Sequence, residues 1–173
     1  MQLEQIFKDK SLKPKERTEQ LSKLILERII TIEDLTLFAR SAKDPVKATC
    51  IESLEFATKA DPGIITSDAL SFVINCLREK APRVKWESAK VIGNSIHLFP
   101  GKIDTAVKKL LDNTEDPGTV VRWSAAFALS QILKLKTGIN DQLIPAIESI
   151  IEREEKNSIK KIYLAALKKI KPL

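Results

Sequence analysis

The sequence predicts an all-α solenoid, a stack of paired helices in one domain over residues 1–173. Three observations carry that expectation. Glycine is scarce, 5 residues in 173, and Ala, Leu, Ile, Lys and Glu dominate, which favours helix over sheet. One short pattern returns every 37 or 38 residues. Ahead of each return lies a second stretch with its own helix-entry signal, so the unit reads helix, turn, helix.

The recurring segments align on a β-branched residue. They are VKATCIESLEFA from Val46, VKWESAKVIGNS from Val84, VRWSAAFALSQI from Val121 and IKKIYLAALKKI from Ile159. The second position is Lys47, Lys85, Arg122 or Lys160, and the sixth is Ile51, Ala89, Ala126 or Leu164. The ninth is Leu54, Ile92, Leu129 or Leu167. A fixed period near 38 marks a helical repeat, because each unit buries its apolar stripe only against its neighbours.

Each earlier helix has a start signal. Thr31 opens one as N-cap, with Asp34 three residues on. Ser67 opens the next, Lys102 the third after the breaker Pro100-Gly101, and Asn140 is a candidate cap for the fourth. Asp44-Pro45 and Asp116-Pro117 mark turns between paired helices, with Thr119 an alternative cap after Gly118. The repeats are expected at 31–60, 64–98, 102–136 and 139–171. Residues 1–30 remain as an N-terminal cap, with Leu21, Leu24 and Ile25 at helical spacing over Pro14 to Arg28.

The Asp-Pro turn, the following Val-Lys or Val-Arg, the small residues and the aliphatic ninth position resemble HEAT repeats, of the armadillo-type class. The resemblance covers about residues 31–171. Ala81-Pro82 replaces Asp-Pro in the second unit, and Lys156-Asn157-Ser158 lacks the proline in the fourth. The resemblance implies a right-handed α-solenoid of about four HEAT-like pairs with N-terminal capping helices, whose second helices line a concave surface.

Stepping 100° per residue from the branched position, offsets 0, 4, 8 and 11 fall within about 80° and form the buried stripe. Trp86 and Trp123 share offset 2, on the opposite side, with Lys90 and Phe127 one turn below them. Lys59, His97 and Lys134 share offset 13. If the second helices line the concave face, Trp86, Lys90, Trp123 and Phe127 form one patch for a partner, with Lys47, Lys85, Arg122 and Lys134 as its charged rim. The competing reading makes the rings fillers of the seam between neighbouring helices. The repeated base has its own alternative, a structural ladder in which Lys47 meets Asp44 and Arg122 meets Asp116 of the preceding turn.

The formal charge is +6, and it is uneven. From Ser158 onward Lys160, Lys161, Lys168, Lys169 and Lys171 stand without an acid, so the rest of the chain is nearly neutral. That helix is either a solvated cap or a secondary basic surface for an acidic partner. No stretch approaches the roughly 20 apolar residues of a membrane span, and no secretory leader is evident. Cys50 and Cys76 read as buried free thiols, which suggests a cytoplasmic setting.

Catalytic signatures are missing. His97 is the only histidine, and there is no Cys-x-x-Cys, phosphate-binding glycine loop or nucleophile elbow. Neither a metal nor a cofactor is expected. Glu152, Glu154 and Glu155 read as a solvated face, and Asp112, Glu115 and Asp116 as a turn with at most weak cation affinity. Some bacterial alkylpurine DNA glycosylases use HEAT-like repeats with Trp residues and a carboxylate in a basic groove. Trp86 and Trp123 are similar to that arrangement, but their outward face holds no Asp. The expected function is a non-catalytic scaffold or adaptor that binds another protein, as a monomer or weak homo-oligomer. Nucleic-acid binding through the concave face and last helix is the alternative, with the glycosylase a remote one.

Overall fold

The computed structural model describes residues 2–171. Among these residues there are ten α-helices and no strand. They are α1 (Gln2–Lys8), α2 (Pro14–Leu26), α3 (Ile32–Ser41), α4 (Asp44–Ala60) and α5 (Ser67–Cys76). Then come α6 (Pro82–Ser95), α7 (Ile103–Asn113), α8 (Thr119–Leu133), α9 (Asn140–Arg153) and α10 (Asn157–Ile170).

The helix starts follow local chemistry. The Thr31 hydroxyl accepts the Asp34 N–H at 3.0 Å, and the Thr66 hydroxyl accepts the Ala69 N–H at 3.3 Å, each satisfying a donor with no partner inside its helix. Ser67 is the first residue of α5, and Thr66 just ahead of it is the cap. Glu16 accepts the N–H of Lys13 at 2.9 Å ahead of Pro14, a proline that costs nothing at a helix start. Asn140 departs from its expected role. It is the first residue of α9 rather than its cap, and its amide donates to the Leu133 carbonyl at 2.9 Å, closing the end of α8 instead. Asp116 also stays outside α8, where its carboxylate accepts the Gly118 N–H at 2.8 Å and shapes the turn.

The second helices, α2, α4, α6, α8 and α10, pack side by side in chain order. The first helices α3, α5, α7 and α9 each lie against their own partner and touch one another less closely. Small buried residues on the second helices explain the difference. Ser88, Ala89 and Gly93 of α6, and Ser124, Ala125 and Ala128 of α8, let these axes approach. The stripe at offsets 0, 4, 8 and 11 is buried in α8, as Val121, Ala125, Leu129 and Ile132, and in α6, as Val84, Ser88, Ile92 and Ser95. No helix among the described residues is long and apolar enough to cross a membrane.

The helix boundaries add a register that four aligned segments do not show. The fourth residue of every second helix is a base: Arg17, Lys47, Lys85, Arg122 and Lys160. In α2 that base turns onto its own entry loop. Arg17 donates to the carbonyls of Ile6, Asp9 and Leu12 and lies over the Phe7 ring.

Candidate interaction surface

The repeated bases form a ladder, and it runs forward. Lys47 Nζ meets Glu79 Oε1 at 3.0 Å, Lys85 Nζ meets Asp116 Oδ2 at 2.8 Å, and Arg122 Nε meets Glu154 Oε2 at 3.0 Å. Each acid belongs to the following helix pair, not to the preceding turn as the spacing of Asp44 with Lys47 suggests. Arg122 does reach back, but to the Asp116 and Pro117 carbonyls at 3.0 and 3.2 Å, because the Asp116 carboxylate is already held by Lys85. Burial works against the charge on Asp116 and Glu154. Hydrogen bonds outweigh it, from Lys85 and the Gly118 N–H in one case and from Arg122 and the Lys156 N–H in the other, so both carboxyls lie below their ordinary values. Lys47 is itself buried.

The two tryptophans occupy equivalent positions and have different environments. Trp86 is half-buried, and its indole N–H donates to Glu87 Oε1 at 2.9 Å. Glu87 is only 3% exposed, and its other oxygen lies 3.1 Å from Lys90 Nζ. Burial pushes the Glu87 carboxyl above its usual value, and Lys90 and Trp86 offset part of that rise. Trp123 is 40% exposed, and no hydrogen bond ties its indole N–H to another described residue. Its ring stacks on Phe127 with centroids 6.2 Å apart and planes 8° from parallel. Phe127 in turn lies on Gly93 of α6, in space a β-carbon would otherwise fill. The pair thus forms an aromatic step that spans two second helices, with its outer ring in water.

Lys134, just past the end of α8, and the lysines of α10 have no acid rung among the described residues. Lys134 and Lys160 are half-buried, Lys161, Lys168 and Lys169 are exposed, and none of the five pairs with a carboxylate among the described residues. Burial, and then the nearby charge of Lys169, hold Lys134 below the usual lysine range. Two hollows lie elsewhere, near the N-terminal end. One of about 700 Å³ runs between α2 and α4 past Leu26, Phe56 and Ala60. The other, about 630 Å³, lies beside Leu3, Leu37 and Phe38.

No protein-family model matches the chain, and no curated protein matches it. Solved structures do. A designed armadillo repeat protein in complex with the peptide (KR)4 is similar, with a TM-score of 0.70 at 17% identity, covering 91% of this chain and 75% of that one. Computationally designed armadillo repeat proteins for modular peptide recognition give a TM-score of 0.73 at 16% identity, over 90% of this chain and 74% of theirs. The complex of CpcE and CpcF of phycocyanin lyase from Nostoc sp. PCC7120 gives 0.64 at 19% identity, over 87% and 86%. The fold is an armadillo/HEAT-type solenoid.

Within this solenoid, several contacts of the second-helix layer carry no repeat signal. Glu87 follows Trp86 directly, and only the packing of α6 shows that its carboxylate accepts the indole N–H hydrogen bond. Glu52 collects Arg83 at 2.6 Å and the Thr18 hydroxyl at 3.0 Å, joining α2, α4 and α6 in a second polar rung. The two cysteines are buried, and desolvation raises both thiols to about 12. No group of three or more His, Cys, Asp and Glu residues among the described residues is arranged to hold a metal ion.

Proposed function

We propose that this solenoid is a non-catalytic scaffold that binds a segment of a partner protein on the concave face of its second helices, centred on Trp123 and Phe127. The exposed, pre-stacked Trp123 carries the reading. A large ring left in water but stacked on Phe127, itself seated on Gly93, loses less entropy when it meets a partner than a free ring would, which is what an interface anchor needs. Trp86 and Lys90 flank the anchor, and Lys134 follows the C-terminal end of α8. Lys47, Lys85 and Arg122 have their charges matched inside the stack, so their contribution is to hold the face rigid. Glu87 is buried with its oxygens turned to Trp86 and Lys90, an arrangement that supports packing rather than acid–base chemistry. The designed peptide binders share the fold, and they supply the mode of recognition but not the ligand.

Selection of peptides from a random display library against the intact protein tests this. Selected peptides should lose about thirtyfold in affinity on Trp123→Ala, roughly the 2 kcal/mol of an interface hot spot, with the melting temperature nearly unchanged. Peptides that bind the variant equally well would remove Trp123 from the site. The unpaired lysines favour a second reading, nucleic-acid binding. It requires affinity for single- or double-stranded nucleic acid that falls steeply with salt, whereas recognition through the aromatic step has a shallow salt dependence.

A further inference from the structure

The ladder has a strict register. In three successive units the base on the fourth residue of a second helix reaches an acid 31 or 32 residues further on. Each acid, Glu79, Asp116 or Glu154, sits three residues ahead of the next second helix, which begins at Pro82, Thr119 or Asn157. Lys160 is the same base in α10. It is half-buried, and no carboxylate among the described residues meets it. Elsewhere in the second-helix layer, half-buried Arg83, Lys85, Lys90 and Arg122 each have an acid within 3.1 Å.

The apolar register opens at the same place. At the sixth position of the repeat, Ile51, Ala89 and Ala126 are 1%, 1% and 0% exposed, whereas Leu164 of α10 is 50% exposed. One face of α10 therefore presents an uncovered aliphatic residue beside a cation whose counterparts in α4, α6 and α8 each meet an acid of the next helix pair, whereas Arg17 of α2 is taken up by carbonyls of its own entry loop.

We propose that the face of α10 turned away from α8 docks a helix pair of a partner protein, and that the turn of that pair carries a carboxylate three residues ahead of its second helix. The carboxylate meets Lys160, and an apolar side chain covers Leu164. Exposed Lys161 and Lys168 steer an acidic partner toward this face. A second copy of this chain fits less well, because Ser11 stands three residues ahead of Pro14, where the acid belongs. This surface is separate from the aromatic step and does not depend on its role.

The test supplies such a pair in place. Pro172 and Leu173 are replaced by a second copy of residues 134–171, which sets the appended Glu154 against Lys160 in the register that Arg122 has with Glu154. Circular dichroism should show two more helices, and the chain should melt in one transition above the parent. Glu154→Gln in the appended copy alone, or Lys160→Met, should bring that transition back toward the parent, while Lys160→Met in the unextended chain leaves it unmoved. An appended segment that adds no helical signal overturns the proposal, as does a gain indifferent to both substitutions. Concentration-dependent dimerisation of the unextended chain that Leu164→Glu abolishes would make a second copy the occupant, and would likewise overturn it.

Discussion

Phe127 of α8 occupies the space that a side chain on Gly93 of α6 would need: a β-carbon there would come within 2.9 Å of the ring's Cδ1 and closer still to its edge. Gly93 is the residue that lets the two helices bring an aromatic ring between them. At a free site inside a helix, Gly→Ala stabilises by roughly 0.5–1 kcal/mol. Here Gly93→Ala is expected to destabilise by about 1–3 kcal/mol through overpacking, lowering Tm by several degrees. Phe127→Ala in the same chain should relieve the clash, so thermal melting of the two singles and the double shows strong coupling. Additive effects would mean that the ring is not seated on Gly93.

The unequal tryptophans give an optical test. Trp86→Phe leaves Trp123 as the only indole, and acrylamide should quench its red-shifted emission strongly. Trp123→Phe leaves Trp86, whose N–H is held by buried Glu87, and its emission should be bluer and less accessible. The reverse order would contradict the exposure of Trp123 and the function proposed for it.

The ladder predicts the acid limb of the stability curve. Asp116 and Glu154 lie below ordinary values of 3.8 and 4.5 in the folded chain. The native state therefore binds fewer protons than the unfolded one in that range. Their stabilisation is complete above those ordinary values and is lost as pH falls through the lower folded ones. Lys85→Met strands the Asp116 carboxylate and should cost about 3 kcal/mol near neutrality. The deficit should shrink as acid neutralises Asp116, which urea titrations at neutral and acid pH will show. A deficit independent of pH would assign the loss to packing of the lysine stem instead. Glu87 acts with the opposite sign: its raised carboxyl favours the folded state at low pH and loses that contribution as pH rises.

Tyr163 of α10 is fully buried, and among the described residues its hydroxyl meets no hydrogen-bond partner. Burial pushes its pKa well above the usual tyrosine value. Tyr163→Phe keeps the ring and removes the unsatisfied group, so it should stabilise by about 1 kcal/mol, or some 2–4 °C in Tm for a chain of this size. A loss on this substitution would show that the hydroxyl has a bonded partner such as a buried water.

Much of the architecture is legible in the residues. Thr31 caps its helix because its hydroxyl accepts the N–H of Asp34, a donor with no partner inside the helix. The 38-residue return of branched, basic and aliphatic positions marks the second helices. The missed elements were short or atypical. α1 spans seven residues and carries no copy of the repeat, and Asn140 looks like a cap although its amide is drawn to the end of α8. At the surface, the offset angle places Trp86 and Trp123 on one face but cannot separate them. Their difference depends on a glutamate beside one and a glycine on the neighbouring helix beneath the other.

Local and periodic features are fixed by the order of the residues alone. Helix starts, paired helices, the buried stripe and a base in each unit follow from hydrogen-bond chemistry within a few residues and from the 100° step of the helix. The tertiary structure alone decided which carboxylate takes each base, which tryptophan stays in water and which face of α10 is left uncovered. Those outcomes depend on how one helix pair is shifted and rotated on the next. That displacement comes from the summed side-chain volumes between them, with Gly93 against Phe127 the clearest example, and no single repeat contains it.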